Sequence, residues 1–327
     1  MIINNTIKIE EGGGGASSEE LISQIRNILN AKNSWSNCND DAAVFSLGKE
    51  KIVFTTDAYI VDPIFFPGGD IGKIAVSGTI NDISVMGARP IGISLSLVIE
   101  EGFSKNDLFK IIKSIDSESK KAGVPIVTGD TKVTEKGKID KIEITTAGIG
   151  LAKNIINNNG IRPGDAIITS GNLGEHTIAL LSERFNYKTK IKSDAKAFNA
   201  EIERVGKYLN ACKDPTRGGL AANIIEMAEK SKVAIHLDES SLPYSKETKA
   251  ITDLLGLDLL SLASEGRFIC AVAPKNADKV LAELKKFNRE TRIIGRAVKG
   301  NGVHIKTKFY SLLPVRKPIG KLIPRIC

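Results

Sequence analysis

The stretch Val124-Pro-Ile-Val-Thr-Gly-Asp-Thr-Lys132 carries a more specific signal than the single turns elsewhere in this chain. It reads as a short apolar strand that ends in a polar turn, Gly129-Asp130-Thr131-Lys132. The apolar periodicity of residues 104–122 predicts a helix before it, and alternating apolar residues predict strands at 90–101 and 141–151. Strands and helices mixed in this way indicate an α/β (α+β) fold.

The second half of the chain has the same mixture of strands and helices, without an accurate sequence repeat. A length of 327 residues predicts two domains. Hydrophobic residues make up 42% and charged residues 26%, as in an ordinary globular protein. We expect no membrane span, because no apolar run reaches about 18 residues. The N-terminus also lacks the pattern of a secretory signal.

The cysteines and the distribution of charge argue against several classes of protein. Four scattered cysteines without a CxxC pair indicate neither a zinc site nor a disulfide framework, and they fit a reducing cytoplasm. The net charge of +8 is spread over the chain with few aromatic residues between the basic ones. We therefore expect no nucleic-acid binding, and attraction to acidic partners or phosphates explains the charge equally well.

Aspartates recur at the ends of apolar segments. Asp41 begins one segment, Asp57 ends the next, and Asp130 follows a third. Each alone is typical of a surface turn, but the recurrence is the pattern that holds Mg²⁺ on a nucleotide.

A mostly apolar helix is predicted at 71–86. Lys73, Ser77 and Asn81 fall on one polar stripe at i, i+4 and i+8, with Asp82 beside it. An unpaired buried lysine is costly, so the stripe either faces solvent or lines a polar site.

Glycine turns supply candidate anion sites. Glu11-Gly-Gly-Gly-Gly15 is either a flexible linker or an anion-binding loop, and Ser170-Gly-Asn-Leu-Gly174 is either a plain strand-to-helix turn or another such site. Thr216-Arg-Gly-Gly219 is the better phosphate candidate, because Arg217 adjoins two glycine amides. No P-loop or GxGxxG motif is present, so any nucleotide must be held by scattered groups.

The chain ends in Pro324-Arg-Ile-Cys327, which places a thiol at its last residue. Termini are mobile unless they are tied down, so this sulfur is either an incidental end or the tip of a swinging arm. Glu265, in a turn of small residues, is either a general base or a solvated acid.

Together these motifs resemble the HypE family of carbamoyl dehydratases, within the PurM-like (AIR synthetase) superfamily. The resemblance covers nearly the whole chain, and the Pro-Arg-Ile-Cys end is its most specific part. The other motifs that carry it are Thr56-Asp57, Val61-Asp-Pro-Ile-Phe-Phe-Pro-Gly-Gly69, Ile71-Gly-Lys73, Asn81-Asp82, Val127-Thr-Gly-Asp-Thr-Lys-Val133, Ser170-Gly-Asn-Leu-Gly174 with His176, Thr216-Arg-Gly-Gly219 and Glu265-Gly266.

The resemblance implies a PurM-like two-domain fold. An ATP-binding N-terminal domain, 1–153, would form a strand barrel across a homodimer. A C-terminal α/β domain, 154–310, and a flexible tail, 311–327, would follow. The implied activity is ATP-dependent dehydration of an S-carboxamide on Cys327 to a thiocyanate, which supplies the cyanide ligand of [NiFe]-hydrogenase iron. A HypF-type carbamoyltransferase would load the tail, and a HypC–HypD-type scaffold would receive the cyano group.

The resemblance also assigns roles to residues. Catalysis would use Cys327, with Lys132 stabilising charge on the carboxamide and Glu265 accepting its proton. ATP and Mg²⁺ would be the cofactors. Nucleotide contacts would come from Lys73, Asn81, Gly129, Thr131, Arg217, Gly218 and Gly219, and metal ligands from Asp41, Asp57, Asp82 and Asp130.

Two positions depart from the family pattern. Glu11 stands where the family usually has His before its glycines, so no catalytic histidine is carried over there. Ser264 replaces the usual Asn before Glu265, which leaves the local hydrogen bonding open.

Three alternatives remain: a thiamine-monophosphate kinase, a selenophosphate synthetase, or a non-catalytic scaffold with a thiol tail. The synthetase would need a reactive Cys near the N-terminal glycines, and neither enzyme accounts for Cys327.

Overall fold

The computed structural model describes residues 6–13, 15–29, 34–318, 323 and 325–327. Gly14 of the glycine run, and residues 319–322 and Pro324 of the predicted tail, lie outside the described residues. None of the described helices is both long and apolar enough to cross a membrane.

The first half builds a six-stranded mixed sheet with the strand order β1-β2-β3-β8-β6-β7. Only the β6–β7 pair in this sheet is parallel. Its elements and neighbours are α1 (Gly15–Ile28), β1 (Trp35–Ser36), β2 (Ala43–Leu47), β3 (Glu50–Tyr59), β4 (Phe65–Phe66), β5 (Gly69–Asp70), α2 (Ile71–Val85), β6 (Arg89–Glu100), α3 (Lys105–Ala122), β7 (Ile126–Thr134) and β8 (Ile142–Ala152).

The second half builds a seven-stranded sheet with the strand order β10-β12-β9-β13-β11-β14-β15. Only β11 and β14 pair in parallel. Its elements are β9 (Ala166–Thr169), α4 (Glu175–Arg184), α5 (Asn199–Val205), β10 (Leu209–Lys213), α6 (Gly219–Ser231), β11 (Ala234–Asp238), α7 (Lys246–Leu255), β12 (Ile269–Val272), α8 (Pro274–Lys285), β13 (Arg292–Val298), β14 (Gly302–Lys306) and β15 (Leu312–Pro314). The predicted tail therefore begins with a strand of this sheet.

Helix α2 is the central element of the molecule. It is buried almost all round, because the first sheet and α3 pack on it from one half and α5 and β10 from the other. Asp70 caps it, accepting a hydrogen bond from the Lys73 N–H at 2.9 Å. Gly78 allows β3 to approach closely, since a Cβ there would lie 2.2 Å from the Tyr59 hydroxyl.

The predicted helix at 104–122 is confirmed, with Ser104 as its N-cap and Gly123 in the left-handed conformation at its end. The prediction that Gly129–Lys132 forms a turn is wrong, because these residues continue β7 as extended backbone. Gly129 is required by close packing instead: its Cβ would meet the Leu95 carbonyl oxygen at 2.4 Å across the parallel β6–β7 pair.

At the N-terminus, the alternating residues Thr6-Ile-Lys-Ile-Glu10 predict a strand, but a 3₁₀ turn, Ile9–Glu11, begins within them. The apolar residues at helical spacing between Leu21 and Leu29 predict a helix with an apolar stripe, and α1 confirms the helix. The stripe enters no core in the described residues, since Ile22, Ile25 and Ile28 are 40%, 46% and 85% exposed. Elements α5 and β10 had no counterpart in the sequence-based prediction.

Candidate active site

A cavity of about 880 Å³ opens between the two halves of the molecule, with α1 forming one wall. This size falls in the usual range for sites that hold cofactors and small molecules. Charged side chains from both halves line it, among them five carboxyl groups and two cations that share it with the terminal cysteine: Asp41, Asp57, Asp82, Asp214, Glu265, Lys213, Arg217 and Cys327.

The first half contributes two aspartates that are held by threonine hydroxyls. Thr79 Oγ1 donates to Asp57 Oδ2 at 2.9 Å, and Thr55 Oγ1 donates to Asp82 Oδ2 at 3.2 Å. Burial raises the pKa of Asp57, and burial together with the neighbouring Asp57 charge raises the pKa of Asp82 well above its usual value. Carboxyl groups are therefore concentrated where water is scarce, and they hold their protons more tightly than they would in solution.

Asp41 and Lys213 form a buried ion pair across the two halves, with only 9% of either side chain exposed. Burial alone would lower the pKa of Lys213, but the charges of Asp41, Glu226 and Asp214 raise it above the usual value. Lys213 is thus a fixed cation. Asp41 Oδ2 has no hydrogen-bond partner among the described residues, so this oxygen remains available to a ligand.

Glu265 is aimed into the cavity by contacts to its own backbone. Its N–H donates to Asp194 Oδ1 at 3.0 Å, and its carbonyl accepts from Asn81 Nδ2 at 3.2 Å. Its Oε1 is buried, with no partner among the described residues. Burial and the charges of Asp214 and Asp194 raise the pKa of Glu265 to about 8. An unpartnered carboxyl near neutral pKa is typical of an acid–base group.

The residue after Glu265 must be glycine, because a Cβ on Gly266 would lie 1.9 Å from the Asp194 carbonyl oxygen. Ser264, which replaces the usual Asn, accepts a hydrogen bond from the Gly174 N–H at 2.8 Å. The departure at this position is therefore accommodated without moving the acid. Glu11, the other departure, is not among the residues that line the cavity.

The end of the chain lies inside this cavity. Cys327 is partly buried, and its carbonyl accepts from the Ile60 N–H at 3.3 Å. Exclusion of water and the charge of Glu265 raise the pKa of the Cys327 thiol to about 12, although Arg217 opposes the shift. The pKa of Arg217 is raised by the negative charge that Cys327 carries once its thiol loses the proton, and by the charge of Asp57.

Other predicted site residues lie elsewhere in this chain. Lys73 Nζ donates to the Gly68 carbonyl at 2.9 Å, outside the cavity. Both ends of the Asn81 amide are used by backbone groups, since Asn81 Oδ1 accepts from the Phe198 N–H at 3.0 Å. Asn81 therefore fixes the junction between the halves and the backbone of Glu265.

The Gly129–Lys132 group lies apart from the cavity, on the exposed edge strand β7. Lys132 Nζ pairs with Asp130 Oδ2 at 2.9 Å, with 69% and 61% of these side chains exposed. Gly129 and Thr131 line a shallow depression on the same strand. Gly219 donates its N–H to the Thr216 carbonyl at 2.8 Å, so one of the two predicted phosphate-binding amides closes the loop itself.

The donor chemistry of the cavity fits a magnesium-bound nucleotide. Mg²⁺ prefers carboxylate oxygens and retains several waters, and Asp41 Oδ2 is a buried oxygen without a partner in the described part of the chain. Among the described residues no three such side chains already surround one point as ligands. Asp41, Asp57 and Asp82 would thus hold the metal together with nucleotide oxygens rather than as a preformed cage.

Sequence reasoning missed Lys213, Asp214 and Glu226. Burial and the Asp41 charge raise the pKa of Asp214 to about 7. Asp214 is separated from Thr216-Arg-Gly-Gly219 by Pro215 alone, and it directly follows strand β10, which ends at Lys213. Recognition of that strand would have placed Lys213 and Asp214 together at a strand end.

Comparison with known proteins places these features in a family. Residues 39–152 match the model of the AIR synthase related protein N-terminal domain, and residues 162–308 match that of the C-terminal domain. A carbamoyl dehydratase HypE of Rhizobium leguminosarum is 41% identical, with 100% of this chain and 96% of the relative covered. The chain belongs to the HypE family.

Further similar proteins support this assignment. A hydrogenase expression/formation protein of Methanocaldococcus jannaschii is 47% identical over 97% of this chain and 98% of the relative. The structure of a HypE–HypF complex matches with a TM-score of 0.85 and 38% identity, covering 93% of this chain and 100% of that one. A HypE structure in complex with ATP matches with a TM-score of 0.82 and 35% identity, covering 98% and 100%. The family resemblance and the two-domain PurM-like α/β fold are confirmed.

Proposed function

We propose that this chain is an ATP-dependent carbamoyl dehydratase of [NiFe]-hydrogenase maturation, acting on an S-carboxamide carried by its own Cys327. The observation that carries this proposal is the position of the C-terminal thiol in a cavity shared with Glu265 and Arg217. Relatives named carbamoyl dehydratase HypE and an ATP complex of HypE support it.

The proposed reaction explains the residue types in the cavity. A carboxamide oxygen leaves poorly, and its nitrogen gives up protons reluctantly. Transfer of the ATP γ-phosphoryl group to that oxygen, with loss of one nitrogen proton, releases ADP and leaves a carbon–nitrogen double bond and a good leaving group. Loss of phosphate and of the remaining nitrogen proton then gives the thiocyanate. Such transfers depend on positioning and charge neutralisation, for which Arg217 and Lys213 are suited. Glu265 accepts the departing proton.

Magnesium and the nucleotide would occupy the acidic part of the cavity. Asp41, Asp57 and Asp82 would hold Mg²⁺, whose role is to neutralise phosphate charge. Of the predicted nucleotide contacts, Arg217 and Gly218 adjoin this space, Arg217 lining both the main cavity and a smaller one next to it. Lys73 and Asn81 would act from outside it, through the loop and the backbone that they hold.

The tail must leave the cavity to be loaded. A docked thiol with a pKa of about 12 is protonated at neutral pH and is a poor nucleophile. We therefore infer that a HypF-type carbamoyltransferase modifies Cys327 in an outward position. The complex of HypE with HypF supports this partnership. The HypC–HypD-type acceptor and the cytoplasmic location are proposed on the family resemblance alone.

A homodimer would bring Lys132 to a reacting carboxamide. Strand β7 is an unpaired edge of the first sheet, with Val127 and Val133 exposed at 63% and 70%. Exposed apolar edges invite pairing with another chain. We infer that β7 completes a strand barrel with a second copy, and that Asp130 and Lys132 serve the partner's cavity.

The dimer has a direct test. Val133→Asp is expected to give a species near the 35.2 kDa chain mass in light scattering, where the parent has twice that mass. Dehydration should also fall by about tenfold or more, because removal of a catalytic group typically costs 10²- to 10⁴-fold. Leu254→Asp is the matched control, since Leu254 is 83% exposed on α7. A dimeric, active Val133→Asp protein would refute both statements.

We expect Asp82 to lower the stability of the fold while it serves the binding of Mg-ATP. The raised pKa means that the carboxyl proton of Asp82 is harder to remove in the folded state than in the unfolded state. Ionisation of Asp82 therefore lowers the free energy of unfolding as the pH rises above the ordinary pKa of 3.8, and Asp82 has no such effect below that pH. Asp82→Asn keeps the Thr55 contact and is expected to raise the melting temperature by roughly 2–5 °C at pH 7, but by little at pH 4. Mg-ATP should no longer stabilise the variant. Calorimetry at both pH values checks this, and an equal shift at pH 4 would contradict the cause given.

The proposed function is tested by counting product nucleotide. With Cys327 loaded by the carbamoyltransferase and then freed of carbamoyl donor, addition of Mg-ATP should release one ADP for each thiocyanate formed. The unloaded protein should release far less. ADP release that is independent of the loaded tail would favour a small-molecule kinase, and no release at all would favour a scaffold.

A further inference from the structure

The docked tail is held by its backbone carbonyls. The N–H groups of Ile60 and Asp62 donate to the carbonyls of Cys327 and Arg325, at 3.3 and 3.2 Å. The tail therefore runs antiparallel to the residues that follow β3, like a short added strand. Ile326 is 7% exposed and belongs to the core cluster around α2.

His176 holds the remaining carbonyl of the last three residues. Its Nε2 lies 2.8 Å from the Ile326 carbonyl oxygen, and its Nδ1 lies 2.8 Å from Ser193 Oγ. The Ala195 N–H donates to the same Ser193 oxygen at 3.1 Å, which leaves the hydroxyl proton to point at Nδ1. Since a carbonyl only accepts, Nε2 must carry the ring proton.

This tautomer is fixed by the surroundings of the ring. His176 is fully buried on α4, with its ring edge-on to Phe66 at a centroid distance of 5.2 Å. Burial lowers the pKa of His176, which keeps the imidazole neutral. A neutral ring with one donor and one acceptor matches both of its partners.

The backbone conformation of the docked tail is unfavourable for an isolated segment. Arg325 has φ of +55°, in the left-handed region that residues with a side chain disfavour. Outside contacts must hold it there. Arg184, also on α4, donates from Nη2 to the Arg325 carbonyl at 3.1 Å, and the Arg325 side chain pairs with Asp140 at 2.7 Å.

We propose that His176 is a positioning residue that latches the C-terminal tail inside the cavity through the Ile326 carbonyl, with Arg184 as its neighbour. The latch sets the balance between the docked tail, which is ready for dehydration, and the released tail, which is open to its carbamoyltransferase. This deepens the proposed function and rests on it for the two half-reactions, but the docking itself needs neither ATP nor a partner.

Alkylation by iodoacetamide measures the released fraction. Cleavage after Lys321 frees a peptide that contains Cys327, and exposed Cys38 is an internal reference. His176→Phe keeps a buried ring but removes the donor, so Cys327 should react about 3- to 10-fold faster relative to Cys38, as expected for one lost hydrogen bond. His176→Gln restores an N–H donor and should react close to the parent rate.

The half-reactions give a second readout. In His176→Phe, loading by the carbamoyltransferase should be unchanged or faster, while dehydration at saturating Mg-ATP should be unchanged or slower, because the change of about 3- to 10-fold in the docking equilibrium is divided between the released and the docked fractions. A general loss of structure would slow both. Equal Cys327 alkylation in parent and His176→Phe, or His176→Gln as reactive as His176→Phe, overturns the latch.

Arg184 Nε also donates to the Asp62 carbonyl at 2.9 Å, so its side chain joins the tail to the residues beside it. If His176→Phe does not fold, Arg184→Lys carries the same test, because the single nitrogen of a lysine cannot reproduce the fork that reaches the carbonyls of Asp62 and Arg325. Faster alkylation of Cys327 supports the latch, and an unchanged rate overturns it. Alkylation that follows the prediction in a protein that never dehydrates the carboxamide would leave the latch standing and remove the proposed function.

Discussion

Cys327→Ser is expected to abolish both carbamoyl loading and thiocyanate formation, a loss beyond about 10³-fold. The thiol sulfur is the atom that carries the substrate, so no neighbouring group can replace it. Serine is nearly isosteric, and the docking contacts of the tail use the carbonyls of Arg325, Ile326 and Cys327 rather than the sulfur. The fold and the docking of the tail should therefore survive.

Mass spectrometry of the C-terminal peptide measures this loss, and circular dichroism checks the fold. Cys38→Ser is the matched control, because Cys38 is an exposed cysteine that lines the same cavity, so it tests whether the loss of any thiol there has the effect, and it should behave like the parent. A Cys327→Ser protein that still forms cyanide equivalents in the presence of Mg-ATP would mean that the carrier is another group.

Glu265→Gln is the second large effect, with dehydration falling by about 10²- to 10⁴-fold while carbamoyl loading is preserved. Glutamine has the same size, and the contacts to Asp194 and Asn81 use the backbone of residue 265, so its position is kept. Only the capacity to accept a proton is lost. Glu226→Gln lines the same cavity and tests the effect of charge alone; it should cost far less.

The pH profile adds an independent check on Glu265. Burial and nearby carboxylates raise its pKa to about 8, so below that value most molecules carry the proton and cannot act as a base. The dehydration rate of the parent should rise about tenfold per pH unit toward pH 8 and then level off, whereas the residual rate of Glu265→Gln should lack this step. A parent rate that is flat between pH 6 and pH 8 would assign the proton to another group.

The sequence pattern predicted part of the cavity for a physical reason. Asp41 and Asp57 were recognised because acids at the ends of apolar segments converge where strands end. Lys213 ends a strand of only five residues, β10, and Asp214 follows it; the strand sequence Leu209-Asn-Ala-Cys-Lys213 has no clear alternation. A short buried strand gives too weak a period to be found without its neighbours.

Other differences arise because the sequence of one element does not show which other element, if any, will pack against it. The polarity of Asp130 and Lys132 resembled a turn, but these residues lie on an exposed edge strand. The apolar stripe of α1 predicted core packing, yet in this chain the helix forms a cavity wall and leaves Ile25 and Ile28 exposed. Conversely, the inward tail depends on His176 and Arg184, which are about 150 and 140 residues distant in sequence.

The most direct test of the account follows the mass of the chain through one turnover. The protein is incubated with its carbamoyltransferase and carbamoyl donor, and Mg-ATP is then added. The account predicts one carboxamide adduct on the peptide that contains Cys327, followed by loss of the mass of one water only when ATP is hydrolysed. An unmodified tail in the presence of an active transferase, or an adduct that never loses water, would contradict it.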